Sequence, residues 1–333
     1  MTEATLAGLG EAGILARILP HFPSGPGTLV GPGDDAAVLE APGRIVLTTD
    51  AMVQGHDFLL DASSGEQIGR KAAIQNLADV AAMGATPTWL TLSILAPSTT
   101  SVSLVDGIAR GLADVAGSVG ASVVGGDLGA ADQLTVSITA LGALAPGQAP
   151  VLRSGARPGD LLILGAPLLG MSAAGLDLIL QEREAPPGHE ALAERVRDWH
   201  LAPAPDISLG WRYASALTSL IDVSDGLVRD ARRLAEASHV VIDLDADALG
   251  ADARALEPLA EAWGTSAMSW VLGSGEEHAM LGTLSPATWQ ERSDLREHMR
   301  VIGRVLGPEP TGAPGVLLNS EGLGNVGFDH FEA

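Results

Sequence analysis

Apolar positions along the chain fall into two periods that alternate from end to end. Leu134, Val136, Ile138 and Ala140 alternate with Thr135, Ser137 and Thr139, the two-residue period of a strand with one wet face. Before it, the spacing predicts a helix over 5–19 that stops at Pro20, a strand over 44–53 and a helix from Ser64 to Met83. A strand over 89–95, a helix over 102–119 and a strand over 121–124 follow. Ser64 with Gln67 reads as a capping box opening the second helix, and Gly84 as its C′ residue. The segment Ala145-Pro-Gly-Gln-Ala-Pro150 is the best linker in the chain. Beyond it the pattern restarts with a strand over 161–164, a helix over 172–180, a loop at Pro186-Pro187-Gly188 and more helix to Leu220. Strands over 221–223 and 239–244 then flank a helix over 226–237. Such intermixing gives an α/β or α+β class. The linker predicts two domains, 1–147 and 148–333, and 333 residues suffice for each to bury a core.

Composition narrows this picture. Hydrophobic residues are 46% and charged residues 18%, which is globular rather than disordered. Aromatics are 3%, so Ala, Val, Leu and Ile must fill the cores. A net charge of -22, with Lys71 the sole lysine, argues against nucleic acid and anionic membranes as partners. The absence of cysteine excludes thiolate metal sites, iron–sulfur clusters and cysteine nucleophiles. Met1-Thr2-Glu3-Ala4 lacks a basic region followed by an apolar one, and no apolar run reaches the ~18 residues of a membrane span. Cytoplasm is the expected compartment.

Five segments place aspartate beside glycine or a hydroxyl near the end of an apolar run. They are Gly31-Pro-Gly-Asp34-Asp35-Ala-Ala-Val38, Thr48-Thr49-Asp50, Asn76-Leu-Ala-Asp79, Gly125-Gly126-Asp127 and Asp222-Val-Ser224-Asp225-Gly226. Oxygen donors of this kind suit a hard cation such as Mg2+, which shares its shell with water and phosphate. Glycines let backbone N–H groups approach phosphates. Asp79 stands in a helix that is apolar nearly all round, where an uncompensated carboxylate costs several kcal/mol. Lys71, Gln75 and Asp79 also fall four residues apart, so the same stripe reads equally as a solvated face. Singly, Asp-Gly pairs are ordinary turns and caps; the set of five carries the argument.

Other motifs fail on context. Gly322-Leu-Gly324-Asn-Val-Gly327 fits G-x-G-x-x-G, but no helix can follow it so near the end of the chain. Asp243, Asp245 and Asp247 mimic an EF-hand start, yet Ala248 replaces its glycine and Arg254 its glutamate, so they read as solvent-facing. The histidines make no zinc spacing, and no G-x-S-x-G elbow occurs.

Taken in order, G-x-G-D-D-A-A, T-T-D, N-L-x-D-x-A-A-M-G-A, G-G-D, R-S-G-A-x-P-G-D, D-x-S-D-G-L and a late G-E-[DE] resemble the thiamine-monophosphate kinase family over nearly the whole chain. Asn76 to Ala85 and Asp222 to Leu227 are the most specific stretches. The resemblance implies a two-domain aminoimidazole ribonucleotide synthetase-like fold, with an N-terminal α/β domain that pairs across a homodimer and a C-terminal α+β domain. It implies transfer of the ATP γ-phosphoryl group to thiamine monophosphate, giving thiamine diphosphate. Transfer would be direct, in line and Mg2+-assisted, a reaction that asks mainly for positioning and charge neutralisation, with no covalent or general-base residue. By the same resemblance Asp35, Thr48, Thr49, Asp50, Asp79, Asp127, Asp222 and Asp225 hold several Mg2+ ions. Gly126, Asp127, Arg153 and Ser224 contact ATP, and Glu276 and Phe328 face thiamine monophosphate. Arg153 is chemically apt, since a guanidinium fork matches phosphate oxygens. Phe328 reads either as a ring-stacking partner or as a terminal core aromatic.

Two departures fall on the substrate side. Where the family has G-x-H-F, this chain has Gly55-His56-Asp57-Phe58, so either His56 or Asp57 contacts substrate. Where the family has G-G-E-D, it has Ser274-Gly275-Glu276-Glu277. Selenophosphate synthetase, a relative in the same superfamily, typically needs a reactive cysteine or selenocysteine, which is lacking here. A non-catalytic acidic metal-binding protein would bind cation without turning over ATP.

Overall fold

The computed structural model describes residues 4–32, 36–307, 313–324 and 326–327. The chain divides into two compact units, Met1–Val80 with Ala85–Gln148, and Ala81–Gly84 with Ala149–Ala333.

The first unit carries α1 (Leu6–Ile18), the short strands β1 (Thr28–Val30) and β2 (Val38–Leu39), β3 (Ile45–Val53), α2 (Gly65–Ala82), β4 (Thr86–Ala96), α3 (Val102–Ser118), β5 (Ser122–Ala130) and β6 (Thr135–Ala143). Its four-stranded sheet runs β3-β6-β4-β5. β4 and β5 are parallel and the other pairs antiparallel. Val136, Ile138 and Ala140 are buried while Thr135, Ser137 and Thr139 are half-buried, the alternation of a sheet covered on one face. α2 has the expected capping box: Ser64 N–H donates to Gln67 Oε1 at 2.9 Å, and Gln67 N–H to Ser64 Oγ at 3.3 Å. Gly84 closes it at φ 75. α2 and α3 meet backbone to backbone at Gly65, Gly69, Gly107 and Gly111; a Cβ on Gly69 would lie 2.1 Å from Ile108 O.

The second unit holds β7 (Leu161–Gly165), α4 (Met171–Leu180), α5 (Glu190–Leu201), α6 (Ser208–Tyr213), β8 (Ser219–Asp222), α7 (Leu227–Ser238), β9 (Val241–Leu244) and α8 (Ala246–Trp263). It continues with α9 (Ala267–Gly273), β10 (Met280–Leu284), α10 (Pro286–Glu291), α11 (Ser293–Arg296), β11 (Arg300–Leu306), β12 (Gly315–Leu318) and β13 (Glu321–Gly322). The strand order is β13-β12-β9-β11-β7-β10-β8, antiparallel except for β12 against β9. A mostly antiparallel sheet with helices gathered on it is α+β in character. Leu162, Leu164, Ile221, Ile242 and Leu281 of the sheet pack with Leu234 of α7 and Leu256 of α8.

Three expectations need correction. The helix expected to reach Leu220 ends at Leu201, ahead of Pro203 and Pro205, and Ser219 to Asp222 is strand; proline lacks the N–H that would continue a helix. The strand expected over 121–124 continues to Ala130, because β4 supplies a partner along its whole length. Asp243 is not solvent-facing: it is buried and paired with Arg304 at 2.8 Å. Asp245 and Asp247 are exposed, and Asp245 caps α8. Among the described residues no helix is long and apolar enough to cross a membrane.

Candidate active site

In the first unit two acid-bearing elements, a strand and a helix, are joined by hydrogen bonds. Residues 48 and 50 point to one face of β3, and residues 76 and 79 lie one turn apart on α2. Thr48 Oγ1 donates to Asp79 Oδ2 at 2.9 Å, and Asp50 N–H donates to Asn76 Oδ1 at 3.0 Å. Asn76 is buried, and its Nδ2 is anchored on Ala72 O at 3.0 Å. Lys71 is buried rather than solvated, which removes the solvated-face reading of the stripe.

Thr49 does not join this group. Its Oγ1 donates to Ile138 O and accepts from Thr139 Oγ1 at 3.2 Å, on the opposite face of the sheet. Asp127 pairs laterally with Ser93, and Ser93 with Ser137, so it too lies on the open face. Thr48-Thr49-Asp50 is therefore split by the strand period. Gly125, Gly126 and Asp127 line a cavity of about 490 Å³ with Phe22, Ala37 and Thr91. A Cβ on Gly126 would sit 1.8 Å from Leu92 O, so glycine is required there. Beyond β3, His56 is exposed, while Asp57 is half-buried with Oδ2 accepting Val53 N–H at 2.6 Å.

In the second unit the acids sit on a loop between β8 and α7. Asp222 is buried, with Oδ2 3.0 Å from His278 Nδ1. Asp225 pairs with Arg233. Asp230, which the sequence reading passed over, shapes this loop. Its Oδ2 accepts N–H bonds from Ser224, Asp225 and Gly226 at 3.0, 2.9 and 3.1 Å, and Oδ1 meets Arg233 Nη1 at 2.8 Å. Gly226 has φ 124, which a side chain would resist. Burial, together with the charge of Asp222, pushes the Asp230 carboxyl up to about 6.

A second segment clips onto this loop. Glu276 N–H donates to Ser224 O at 2.7 Å and His278 N–H to Val223 O at 2.8 Å. Glu276 and His278 adopt φ 56 and 49, left-handed positions that cost non-glycine residues about 1 kcal/mol or more. The Glu276 carboxylate lies 3.3 Å from buried His200 Nδ1. Glu277 is fully buried: Oε1 accepts from Gly170 N–H and Ser172 N–H at 3.0 Å each and from Ser274 Oγ at 2.7 Å, and Oε2 from Trp199 Nε1 at 2.6 Å. Burial raises its carboxyl against the pull of these donors. Arg153 is exposed on a short turn (Arg153–Gly155), whose backbone is tied to Ser238 through Arg153 O at 2.6 Å and Ala156 N–H at 3.1 Å. Asp35 and Phe328 lie outside the described residues. Among the described residues, no group of three or more His, Asp or Glu side chains is close enough to hold a metal ion.

Residues 33–144 match the family model of the AIR synthase related protein, N-terminal domain. The thiamine-monophosphate kinase of Mycobacterium tuberculosis is 42% identical over 334 residues, covering 98% of this chain and 93% of the relative. The chain belongs to the thiamine-monophosphate kinase family. A crystal structure of the thiamine-monophosphate kinase of Stenotrophomonas maltophilia superposes with TM-score 0.78 at 30% identity, covering 93% of this chain and 95% of that one. AaThiL complexed with AMPPCP and TMP superposes with TM-score 0.76 at 28% identity, over 99% and 100% of the two chains.

Against the thiamine-monophosphate kinase pattern G-G-E-D, the two replacements Ser274 and Glu277 meet in one buried network. Ser274 Oγ donates to Glu277 and accepts Ala173 N–H at 3.0 Å. The carboxylate therefore caps the start of α4, where it meets the positive end of the helix. Nothing in the periodicity of the chain marks this pairing.

Proposed function

We propose that this chain phosphorylates thiamine monophosphate to thiamine diphosphate with ATP, by direct in-line transfer assisted by Mg2+. One observation carries the reading above the rest. Thr48 and Asp50 of a strand are tied to Asp79 and Asn76 of a helix, Thr48 through its hydroxyl and Asp50 through its backbone N–H, in a chain 42% identical to a thiamine-monophosphate kinase. Carboxylate and hydroxyl oxygens fit a hard cation that keeps places for phosphate and water. Thr48, Asp50 and Asp79 would hold one ion. Asp222 and Asp225 are the candidates in the second unit, and Asp35, Thr49 and Asp127 complete the proposed set. When bound, Mg2+ neutralises charge building on the transferring phosphoryl group.

The chain's own groups bind and orient. Gly126 and Asp127 border the cavity in the first unit, where ATP is proposed to lie, with Ser224 and the Arg153 fork as further ATP contacts. His56, Glu276 and Phe328 are assigned to thiamine monophosphate. Asp57 is assigned to the turn instead, because its carboxylate is engaged by Val53 N–H. The open sheet face exposes Ile45, Leu47 and Leu95, and a second copy of the chain is the proposed cover, making a homodimer. Cytoplasm is the proposed compartment.

ADP release, measured with and without thiamine monophosphate, tests the reaction. Release that depends on thiamine monophosphate is expected; release indifferent to it would overturn the acceptor. Mg·ATP at a hundred times its Kd should stabilise the fold by about 2.7 kcal/mol. An unchanged melting temperature would count against the nucleotide site.

A further inference from the structure

The sole lysine of the chain stands where a lysine is least expected. Lys71 opens the apolar stretch of α2 and is 3% exposed. A buried ammonium is costly unless acceptors meet it. Lys71 Nζ donates to Asp57 O at 3.0 Å.

Asp57 is the hub of the turn that follows β3. His56 N–H and Asp57 N–H donate to Val53 O at 3.1 and 3.0 Å, and Gly55 N–H to Phe58 O at 2.8 Å. The Asp57 carboxylate turns back onto Val53 N–H at 2.6 Å. Gly55 takes φ 83, Phe58 is buried, and His56 is left exposed between them. The turn is thus organised from within, and Lys71 ties its Asp57 carbonyl to α2. The same helix carries Asn76 and Asp79 toward Asp50 and Thr48. One rigid element therefore references both the strand carrying Thr48 and Asp50 and the turn bearing His56.

We propose that Lys71 is a positioning residue for the acceptor side of the reaction. By holding the Asp57 carbonyl from beneath, it fixes the 54–58 turn and the outward direction of His56. This rests on the reading above that His56 meets thiamine monophosphate.

Lys71→Met keeps most of the stem and removes the ammonium. In the full-length enzyme, KM for thiamine monophosphate should rise about tenfold, the effect of one hydrogen bond from a charged donor. The kcat and the KM for ATP should stay within about twofold. Hydrogen exchange at amides 55–57 should quicken about tenfold or more. In a His56→Ala background, Lys71→Met should add nothing further, because both act through one contact. Equal damage to ATP and thiamine monophosphate kinetics, additive effects of the two changes, or unchanged exchange would each overturn the inference. A silent His56→Ala overturns the underlying reading of the substrate side; a damaging His56→Ala with a silent Lys71→Met overturns the inference alone. Should Lys71→Met fail to fold, amine labelling of the native wild-type protein decides. With one lysine, peptide mapping after treatment with trinitrobenzenesulfonate should find Lys71 unlabelled in the native protein and labelled after denaturation. A trinitrophenyl group on Lys71 of the native, active enzyme would show the ammonium released from the turn and overturn the proposal.

Discussion

Asp106 in the first unit and Asp230 in the second are both buried aspartates that anchor the structure around them, yet their surroundings are opposite. Asp106, on α3, is met by His21 Nε2 at 3.0 Å, Arg17 Nε at 3.3 Å and Arg110 Nη2 at 3.0 Å. Burial raises its carboxyl, but the His21 hydrogen bond and the Arg17 charge outweigh burial and leave it below the ordinary range. Asp230 accepts three backbone N–H bonds and one Arg233 pair, but burial and the neighbouring charges of Asp222 and Asp225 carry it up to about 6. The first arrangement fastens helices and is electrostatically relaxed. The second gathers negative charge on a loop, and Arg233 relieves it only in part. Perturbation of this second kind marks functional sites more often than scaffolds.

The largest expected effect breaks the second arrangement. Asp230→Ala would orphan the N–H groups of Ser224, Asp225 and Gly226 and strip Arg233 of a partner. Buried groups left unmatched cost about 1–3 kcal/mol each, so a loss of about 3 kcal/mol is expected in the denaturant midpoint of this unit. A loss below about 1 kcal/mol would mean that the loop is held mainly by Glu276 and His278. In the first unit the acids ride on regular elements, so Asp79→Asn should leave stability nearly unchanged. Turnover should fall about a hundredfold, as expected when charge that neutralises phosphates is removed. Near-normal turnover would reduce Asp79 to a partner of Thr48.

This contrast also explains what could be read from the sequence. β6 announced itself by strict alternation, and α2 by its capping box, because short-range rules write both. The acids on β3 and α2 were legible as motifs. Their sorting was not, since Thr48-Thr49-Asp50 looks like one block until the strand period sends Thr49 to the other face. The loop of the second unit was legible only in part. Asp222 and Asp225 stand in a motif, but Asp230, His278 and His200 act through contacts up to 76 residues away, from His200 to Glu276. The replacement Glu277 became intelligible only beside Ser274 and Gly170, three positions no local rule connects.

The smallest expected effect concerns pH and tests the relaxed arrangement. A carboxyl held below its ordinary value is deprotonated in the folded state over a range where the unfolded chain already binds a proton. Its stabilisation is therefore complete above the unfolded value of 3.8 and is lost as pH falls through the lower folded value. Asp106→Asn removes this dependence while keeping the shape. The gap in denaturant midpoint between wild type and Asp106→Asn should narrow as pH falls below about 4. Taking the difference cancels the many other carboxylates of a chain with net charge -22. Their protonation moves both proteins alike, provided those sites lie beyond the reach of Asp106. A gap that stays constant into acid would show that Arg17, His21 and Arg110 do not hold the carboxylate in its charged form. One that widens would place Asp106 with Asp230, among acids raised by burial, and would erase the difference between the two units.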